Sequence, residues 1–139
     1  MFKSNLMLLR GFSLIELLVV LGIVAILFSI VLPSYSSYQV KTERSLAAVA
    51  LLDLAGRMEQ YYTINNKYSG ATIENLGFNT ALLANFYNLK IKAKTITYSI
   101  YAEPIGKQAL NDANCGVLSI NELGAKSISG DGDVAECWG

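Results

Sequence analysis

Two different hydrophobic patterns follow one another along the first half of the chain. Residues 12–32 read FSLIELLVVLGIVAILFSIVL and are almost wholly apolar. As an α-helix this run would span roughly 30 Å, which is close to the thickness of the hydrocarbon core of a bilayer. Its length, and the lack of a small-residue cleavage site after it, favour a permanently embedded helix over an ordinary cleaved signal peptide.

The second pattern predicts an amphipathic helix from Ser34 to about Thr63. Its apolar residues recur at steps of three, four or seven positions, the spacing of one helix face. These residues are Val40, Ala47, Leu51, Leu54, Met58 and Tyr61, widened by Ala50, Ala55 and Tyr62. We expect this face to pack on a sheet of the same chain, with a short coiled coil, interrupted by Arg44, as the alternative. The helix should end near Asn65, because asparagine tolerates left-handed backbone conformations.

Alternation of apolar and polar residues with a period of two appears further along the chain, as expected of half-buried strands. Four strands are predicted, at residues 89–94, 96–100, 116–120 and 125–128. A turn at residues 121–124 separates the last two. Residues 67–85 form a long connection with a short helical turn at residues 80–85. The fold class is therefore α+β, a long N-terminal α-helix packed on a small antiparallel β-sheet.

Composition and charge narrow the function classes. The 11 basic residues balance the 11 acidic ones, so the whole chain has no net attraction for nucleic acid or anionic membranes. There is no histidine, which removes the commonest general base and metal ligand. Gly22 belongs to no nucleotide-binding glycine motif. We therefore predict no catalytic site and no cofactor, and a protein that is not an enzyme.

One carboxylate, Glu16, stands inside the apolar run, where a charge costs on the order of 3 kcal/mol on insertion scales. Arg10 precedes it by six residues, which is a poor helical spacing for an ion pair. A free amine on Phe12 would lie four residues away on the same helix face, but this requires a cut after Gly11. The alternative places Glu16 at the membrane edge, reaching the headgroups.

The segment RGFSLIELLVVLGIVAILFSIVLPSY, residues 10–35, resembles the N-terminal signature of type IV pilins and related pseudopilins. The resemblance implies that residues 1–11 are a basic leader, which a prepilin peptidase removes after Gly11. It also implies that the new N-terminal residue, Phe12, is N-methylated. Glu16 would then partner the N-terminal amine of a neighbouring subunit during assembly.

The resemblance also implies a domain organisation. Residues 12–33 would be the transmembrane and assembly helix, and residues 34–139 a periplasmic globular domain. The stretches MEQYYTINNKYSG and CGVLSINELGAKS resemble minor pilins of the PilE-like group, in which a C-terminal disulfide closes a surface loop. Here that disulfide would join Cys115 to Cys137. Two cysteines behind an export-type N-terminus also fit one disulfide better than a zinc site.

The function implied is that of a structural subunit of a type IV pilus, more specifically a minor pilin. It would wait in the inner membrane as a single-pass protein with its domain in the periplasm, then enter the extracellular filament. Its partners would be other pilin subunits, the prepilin peptidase/N-methyltransferase and the inner-membrane assembly machinery. The alternatives are a pseudopilin of a type II secretion system and a DNA-binding pilin in DNA uptake.

Two further clusters are candidate ligand sites. Lys90, Lys92 and Lys94 would project from one sheet face and could contact DNA phosphates, although a solvated face or edge-strand protection explains them equally. No aromatic residue is interleaved with them for base stacking. Asp131 and Asp133, in the sequence SGDGD, are weak candidates for calcium. Without a further acidic ligand they are better explained as a turn inside the disulfide loop, and no metal is predicted.

Overall fold

The structure is a computed structural model, and it describes residues 11–139. Within these residues the elements are α1 Leu14–Asn65, β1 Tyr87–Ala93, β2 Tyr98–Pro104, α2 Gly106–Asn111, β3 Leu118–Asn121, β4 Lys126–Ile128 and α3 Val134–Trp138. The chain divides into two compact units, with the boundary after Ser37. Residues 1–10, which form most of the predicted leader, lie outside the described residues.

The described part of the first unit consists mainly of the apolar part of α1. The large apolar side chains from Phe12 to Leu32 are all exposed, at fractions between 39% and 78%. The mean hydropathy of this part of the helix reaches 3.0, so it is long and apolar enough to cross a membrane. An apolar surface this continuous is unfavourable in water, and it requires either lipid or other apolar helices around it.

The second unit confirms the predicted packing of helix on sheet. Ala47, Leu51, Leu54 and Met58, all on the predicted face of α1, have no exposed surface. They belong to one core cluster with the inward-facing residues of the strands: Tyr87, Leu89, Tyr98, Ile100, Ala102, Leu118 and Ile120. The helix ends at Asn65, and Asn66 takes a φ of 54°, the left-handed conformation that the two asparagines predicted.

The sheet is antiparallel, with the strands in the order β1-β2-β3-β4. In its register Lys92 pairs with Ser99, and Ser99 pairs with Asn121. The β1–β2 turn and the β3–β4 turn therefore lie at the same end of the sheet. We call this the hairpin end.

The bounds of two strands differ from the prediction because of the β1–β2 turn. The Lys94 amide donates to the Thr97 carbonyl at 2.8 Å and closes a tight turn. Ile96 therefore lies in the turn and is 69% exposed, and β2 begins only at Tyr98. The prediction that Ile96 begins the inward face of a strand was wrong, because alternation alone does not mark where a hairpin reverses.

The long connection and the two short helices also differ from the prediction. Residues 80–85 form successive hydrogen-bonded turns and no helix. The Arg57 guanidinium holds the connection to α1 by donating to the carbonyls of Leu76 and Gly77 at 2.9 and 3.1 Å. Helices α2 and α3 were not predicted.

Candidate functional site

The residues of the predicted processing and assembly site lie at the start of α1. Gly11 and Phe12 precede the helix, and the Glu16 amide donates to the Ser13 carbonyl at 3.1 Å. Glu16 thus stands in the first turn, where the free N–H groups of a helix favour a negative charge. Because Phe12 precedes the first helical residue, helical spacing does not by itself bring an amine on Phe12 over Glu16.

The outer face of the sheet carries the predicted lysines. Lys90 and Lys92 are exposed on β1, and Lys94 is exposed just beyond its end. The register places Tyr101 of β2 beside Lys90 and Ser119 of β3 beside Tyr101, so one row of side chains crosses three strands. The structure therefore places the three lysines along one side of the outer face and at its hairpin end.

Tyr101 corrects the expectation that no aromatic residue lies among these lysines. It is partly exposed on the same face, and the Lys92 ammonium lies 5.1 Å from the centre of its ring. The neighbour of a lysine across a sheet depends on the strand register, which the alternation within one strand does not give. The signal that could have found it is the pairing of Lys90 with Tyr101 across a β1–β2 hairpin.

The three lysines are not electrostatically equivalent. The Lys90 ammonium lies 2.6 Å from a carboxylate oxygen of Glu103, on the neighbouring strand, and both side chains are partly exposed. Lys92 and Lys94 instead border a shallow pocket of about 550 Å³ at the hairpin end. The pocket is lined by Lys92, Ala93, Lys94, Thr97, Tyr98, Ser99, Tyr101, Asn121 and Glu122.

The predicted disulfide is present, because Cys115 and Cys137 are bonded. Within their loop Asp133 caps α3, since its carboxylate accepts hydrogen bonds from the amides of Ala135 and Glu136 at 2.8 and 3.1 Å. Close backbone packing explains the glycine at position 132, because a Cβ there would lie only 2.8 Å from the carbonyl oxygen of Asn114. Across residues 11–139 no cluster of three or more Cys, Asp or Glu side chains is placed to hold a metal ion.

A buried polar cluster beneath α1 was missed by the sequence analysis, which treated Arg44 as an interruption of the apolar face. The Arg44 guanidinium donates to Asp112, whose side chain is only 4% exposed. The Gln108 amide donates to Asp112 at 3.1 Å and to the Val40 carbonyl at 3.0 Å. The Tyr87 hydroxyl also donates to Asp112, at 3.3 Å. This cluster joins α1, α2 and the start of β1.

Burial raises the pKa of Tyr87 from its ordinary value of 10.0 to about 12; the Gln108 hydrogen bond acts against this rise, and the Asp112 charge adds to it. As the pH rises, the Tyr87 hydroxyl therefore loses its proton in the unfolded chain before it does so in the folded chain. The contribution of the Tyr87 pKa shift to the free energy of unfolding is complete below pH 10 and is lost as the pH rises toward 12. The free energy of unfolding should fall by about 1.4 kcal/mol per pH unit in this window because of Tyr87 alone.

Denaturant unfolding of the full chain in a nonionic detergent, followed by Trp138 fluorescence, measures this pH dependence. The Tyr87→Phe variant has no proton to lose, so its free energy of unfolding should decline less steeply above pH 10. Equal slopes for the wild type and the variant would contradict the raised pKa.

Two family models match the chain. The family described as "Type IV minor pilin ComP, DNA uptake sequence receptor" matches residues 33–119, which is more than half of the chain. The "Prokaryotic N-terminal methylation motif" matches residues 9–32. Together the two matches run without a gap from the end of the predicted leader into β3.

Similar proteins include pilins and a secretion component. Type II secretion system core protein G of Pectobacterium carotovorum subsp. carotovorum is 27% identical over 131 residues, covering 93% of this chain and 84% of that protein. Type IV major pilin protein PilA of Myxococcus xanthus (strain DK1622) is 33% identical over 69 residues, covering 50% of this chain and 31% of that protein. The match to PilA thus spans less than a third of that relative.

Two solved structures share the fold. The non-core minor pilin PilV of Neisseria meningitidis gives a TM-score of 0.53 at 23% identity, covering 68% of this chain and 90% of that chain. A type IV pilin from Shewanella oneidensis gives a TM-score of 0.50 at 21% identity, covering 63% and 89%. These structures confirm the predicted pilin fold, and the two family matches add the sequence signature at both ends of α1. The chain therefore belongs to the ComP-type family of type IV minor pilins.

Proposed function

We propose that this minor pilin is made as a precursor, cut after Gly11, methylated on Phe12 and assembled into the pilus through residues 12–33. The observation that carries the proposal is the coincidence of the methylation motif, residues 9–32, with the exposed apolar surface of α1. That surface is stable in lipid before assembly and among the apolar helices of neighbouring subunits afterwards.

The same proposal assigns the rest of the chain. Residues 34–139 form a periplasmic domain, and the Cys115–Cys137 disulfide supports an oxidising compartment for it. The subunit rests in the inner membrane as a single-pass protein and then moves into the extracellular filament. Its partners are other pilins, the prepilin peptidase/N-methyltransferase and the assembly machinery. It has a structural role, and the chemistry of its maturation is done to it by those enzymes.

Glu16 has a separate role in this scheme, which is to set the register between subunits. It stands in the first turn of α1, while Phe12 precedes the helix. The helix therefore does not hold the amine created by cleavage over the Glu16 of the same chain. The amine can instead meet the Glu16 of a neighbouring subunit. A carboxylate left unpaired among apolar helices is costly, so the packing in which every Glu16 meets an amine is favoured.

The Glu16→Ala variant tests this role. We expect cleavage after Gly11 to continue, while the amount of the subunit in sheared pili falls at least about tenfold, since an interaction of about 1.4 kcal/mol already changes an equilibrium by that factor. Quantitative mass spectrometry of sheared pili and membranes measures both. Glu43→Ala, in the same helix but outside the apolar run, is the matched control. Wild-type abundance of the Glu16→Ala subunit in pili would contradict the role.

Mass spectrometry of wild-type pili tests the whole proposal. The expected N-terminal peptide begins at Phe12 and carries one extra methyl group, and the subunit is scarcer than the major pilin. An N-terminus elsewhere would overturn the cleavage assignment. Recovery of the protein only with a secretion apparatus would favour the pseudopilin alternative, which rests on the 27% identity to core protein G.

We also propose that the outer sheet face binds DNA. Two observations favour this second function: the family model is that of a DNA uptake sequence receptor, and the outer face combines exposed lysines with Tyr101. Lysines bind phosphates and release counterions, and an aromatic ring offers a surface to bases or sugars. Salt-dependent binding of the full chain to a DNA duplex is the basic test.

A further inference from the structure

The electrostatics of the outer face separate Lys90 from the other two lysines. The Lys90 ammonium already has a counter-charge, since Glu103 lies 2.6 Å away across the β1–β2 pair. Binding of a lysine to DNA is favoured by the release of condensed counterions, and each free cation that reaches a phosphate contributes to it. A lysine already paired with a carboxylate contributes little, because it must first give up that pair.

Lys92 and Lys94 border the pocket at the hairpin end, where several hydrogen-bond donors converge. The hydroxyl of Ser99 and the amide of Asn121 share the pocket with them. The side-chain oxygen of Asn121 already accepts from two backbone amides, at 3.0 and 2.9 Å, so its NH₂ group is the part left to bind a ligand. Tyr101 forms one wall. This combination of cations, neutral donors and one aromatic ring suits a phosphodiester and its sugar.

A third cation lies next to the hairpin end through a contact remote in sequence. The Tyr68 amide donates to the Thr95 carbonyl at 3.0 Å, which fixes the start of the long connection against the β1–β2 turn. Lys67, the preceding residue, is exposed and therefore stands one residue from this contact. Lys67 and Lys94 thus flank the same backbone hydrogen bond.

The acidic groups near the hairpin end have partners of their own. Glu122 lines the pocket, and its carboxylate accepts the Tyr98 amide at 3.3 Å. The Glu59 carboxylate accepts the Tyr68 hydroxyl at 3.0 Å. These hydrogen bonds to neutral groups hold the two carboxylates but leave the charges of Lys67, Lys92 and Lys94 without a paired acid in the described structure.

We propose that the DNA contact, which rests on the receptor function proposed above, is centred on the hairpin end, and that Glu103 withholds Lys90 from it. Lys67, Lys92 and Lys94 bind phosphates, and Tyr101 packs against the sugar or base between them. Three phosphate contacts give a slope of log K against log salt of about −2.7 for duplex DNA. This is a weak site on a single subunit, so strong capture of DNA requires several subunits or a second contact.

Fluorescence anisotropy of the full chain in nonionic detergent, with a labelled mixed-sequence duplex at about 50–200 mM KCl, tests the proposal. Lys67→Ala, Lys92→Ala and Lys94→Ala should each reduce the slope by about 0.9 and weaken binding roughly eightfold near 0.1 M salt. Lys90→Ala should change affinity less than about twofold. Glu103→Gln should free Lys90, steepen the slope by about 0.9 and tighten binding.

The Lys90→Ala and Glu103→Gln variants control for each other. Both variants break the same ion pair, so an effect of the pair on folding alone would change the DNA affinity of both in the same direction. The proposal instead expects only Glu103→Gln to gain affinity. Lys107→Ala, in α2 beyond the opposite end of β2, should leave binding unchanged. A loss from Lys90→Ala as large as that from Lys92→Ala, or no gain from Glu103→Gln, would overturn this inference. A wild-type chain without salt-dependent binding would instead overturn the receptor function itself.

Discussion

The Gly11→Val variant is expected to remain entirely as uncut precursor, heavier by the leader of residues 1–11. The folded part of the chain does not require glycine here, because a Cβ on Gly11 would meet no atom of the described residues within 4 Å. Gly11 also lies before the first helical residue, so valine does not disturb α1. Under the proposed cleavage, the requirement for glycine therefore comes from the peptidase, whose site has to admit the residue before the cut.

The consequence of blocked cleavage differs from that of losing Glu16. An uncut chain has no new amine at Phe12, so it should be absent from pili and accumulate in the membrane with its leader. The Glu16→Ala chain should be cut and still fail to assemble. Mass spectrometry of the membrane fraction distinguishes the two, because only the Gly11 variant retains the leader peptide.

Gly22→Val is the matched control for the Gly11 variant. It places the same side chain on Gly22, inside the apolar run of residues 12–32, where a Cβ also meets no atom of the described residues within 4 Å. Cleavage of this control should be normal. Formation of the Cys115–Cys137 disulfide in both variants, seen on non-reducing gels, would show that the domain folds. Normal processing of Gly11→Val would contradict the cleavage assignment.

The helix and its buried face could be predicted from the sequence because they depend on local periodicity. Burial along α1 recurs at the helical period, and Ala47, Leu51, Leu54 and Met58 are buried in the positions that this period requires. The antiparallel sheet could be predicted for the same reason, since alternation marks a half-buried strand wherever the strand lies. Local patterns were sufficient for the fold class.

The short helices could not be predicted because they depend on contacts between distant residues. Helix α2 has six residues and α3 has five, too few to show a period. The Gln108 side chain of α2 bonds to the carbonyl of Val40, 68 residues earlier in the chain. Asp133 caps α3 inside a loop whose shape depends on the disulfide. In each case the tertiary contact stabilises a segment too short to be stable alone.

The candidate DNA face was predicted only in part, because its chemistry depends on strand register. The sequence places the lysines on one face of β1. It does not reveal that the turn at residues 94–97 brings Tyr101 and Glu103 beside them. A register shift of one residue would move the Tyr101 and Glu103 side chains to the inner face. The ion pair between Lys90 and Glu103 therefore follows only from the observed register.

The Asp112→Ala variant is expected to lower the free energy of unfolding by about 3–5 kcal/mol, because removing one partner of a buried ion pair leaves the other charge uncompensated. The Arg44 guanidinium, on the inner side of α1, would lose its counter-charge although its side chain is only 13% exposed. The hydrogen bonds that Gln108 and Tyr87 donate to Asp112 would be lost with it. Denaturant unfolding of the full chain in nonionic detergent measures the change.

A second Asp–Arg pair among the described residues offers a matched control. Asp53 and Arg57 lie 3.2 Å apart on the outside of α1, with side chains 49% and 35% exposed, so Asp53→Ala should cost less than about 1 kcal/mol. Equal costs for the two variants would contradict the role of the buried pair. The double variant Arg44→Met with Asp112→Leu then separates charge from hydrogen bonding. Recovery of stability in it shows that the uncompensated Arg44 charge caused the loss, whereas no recovery assigns the loss to the bonds of Gln108 and Tyr87, which join α2 and β1 to α1.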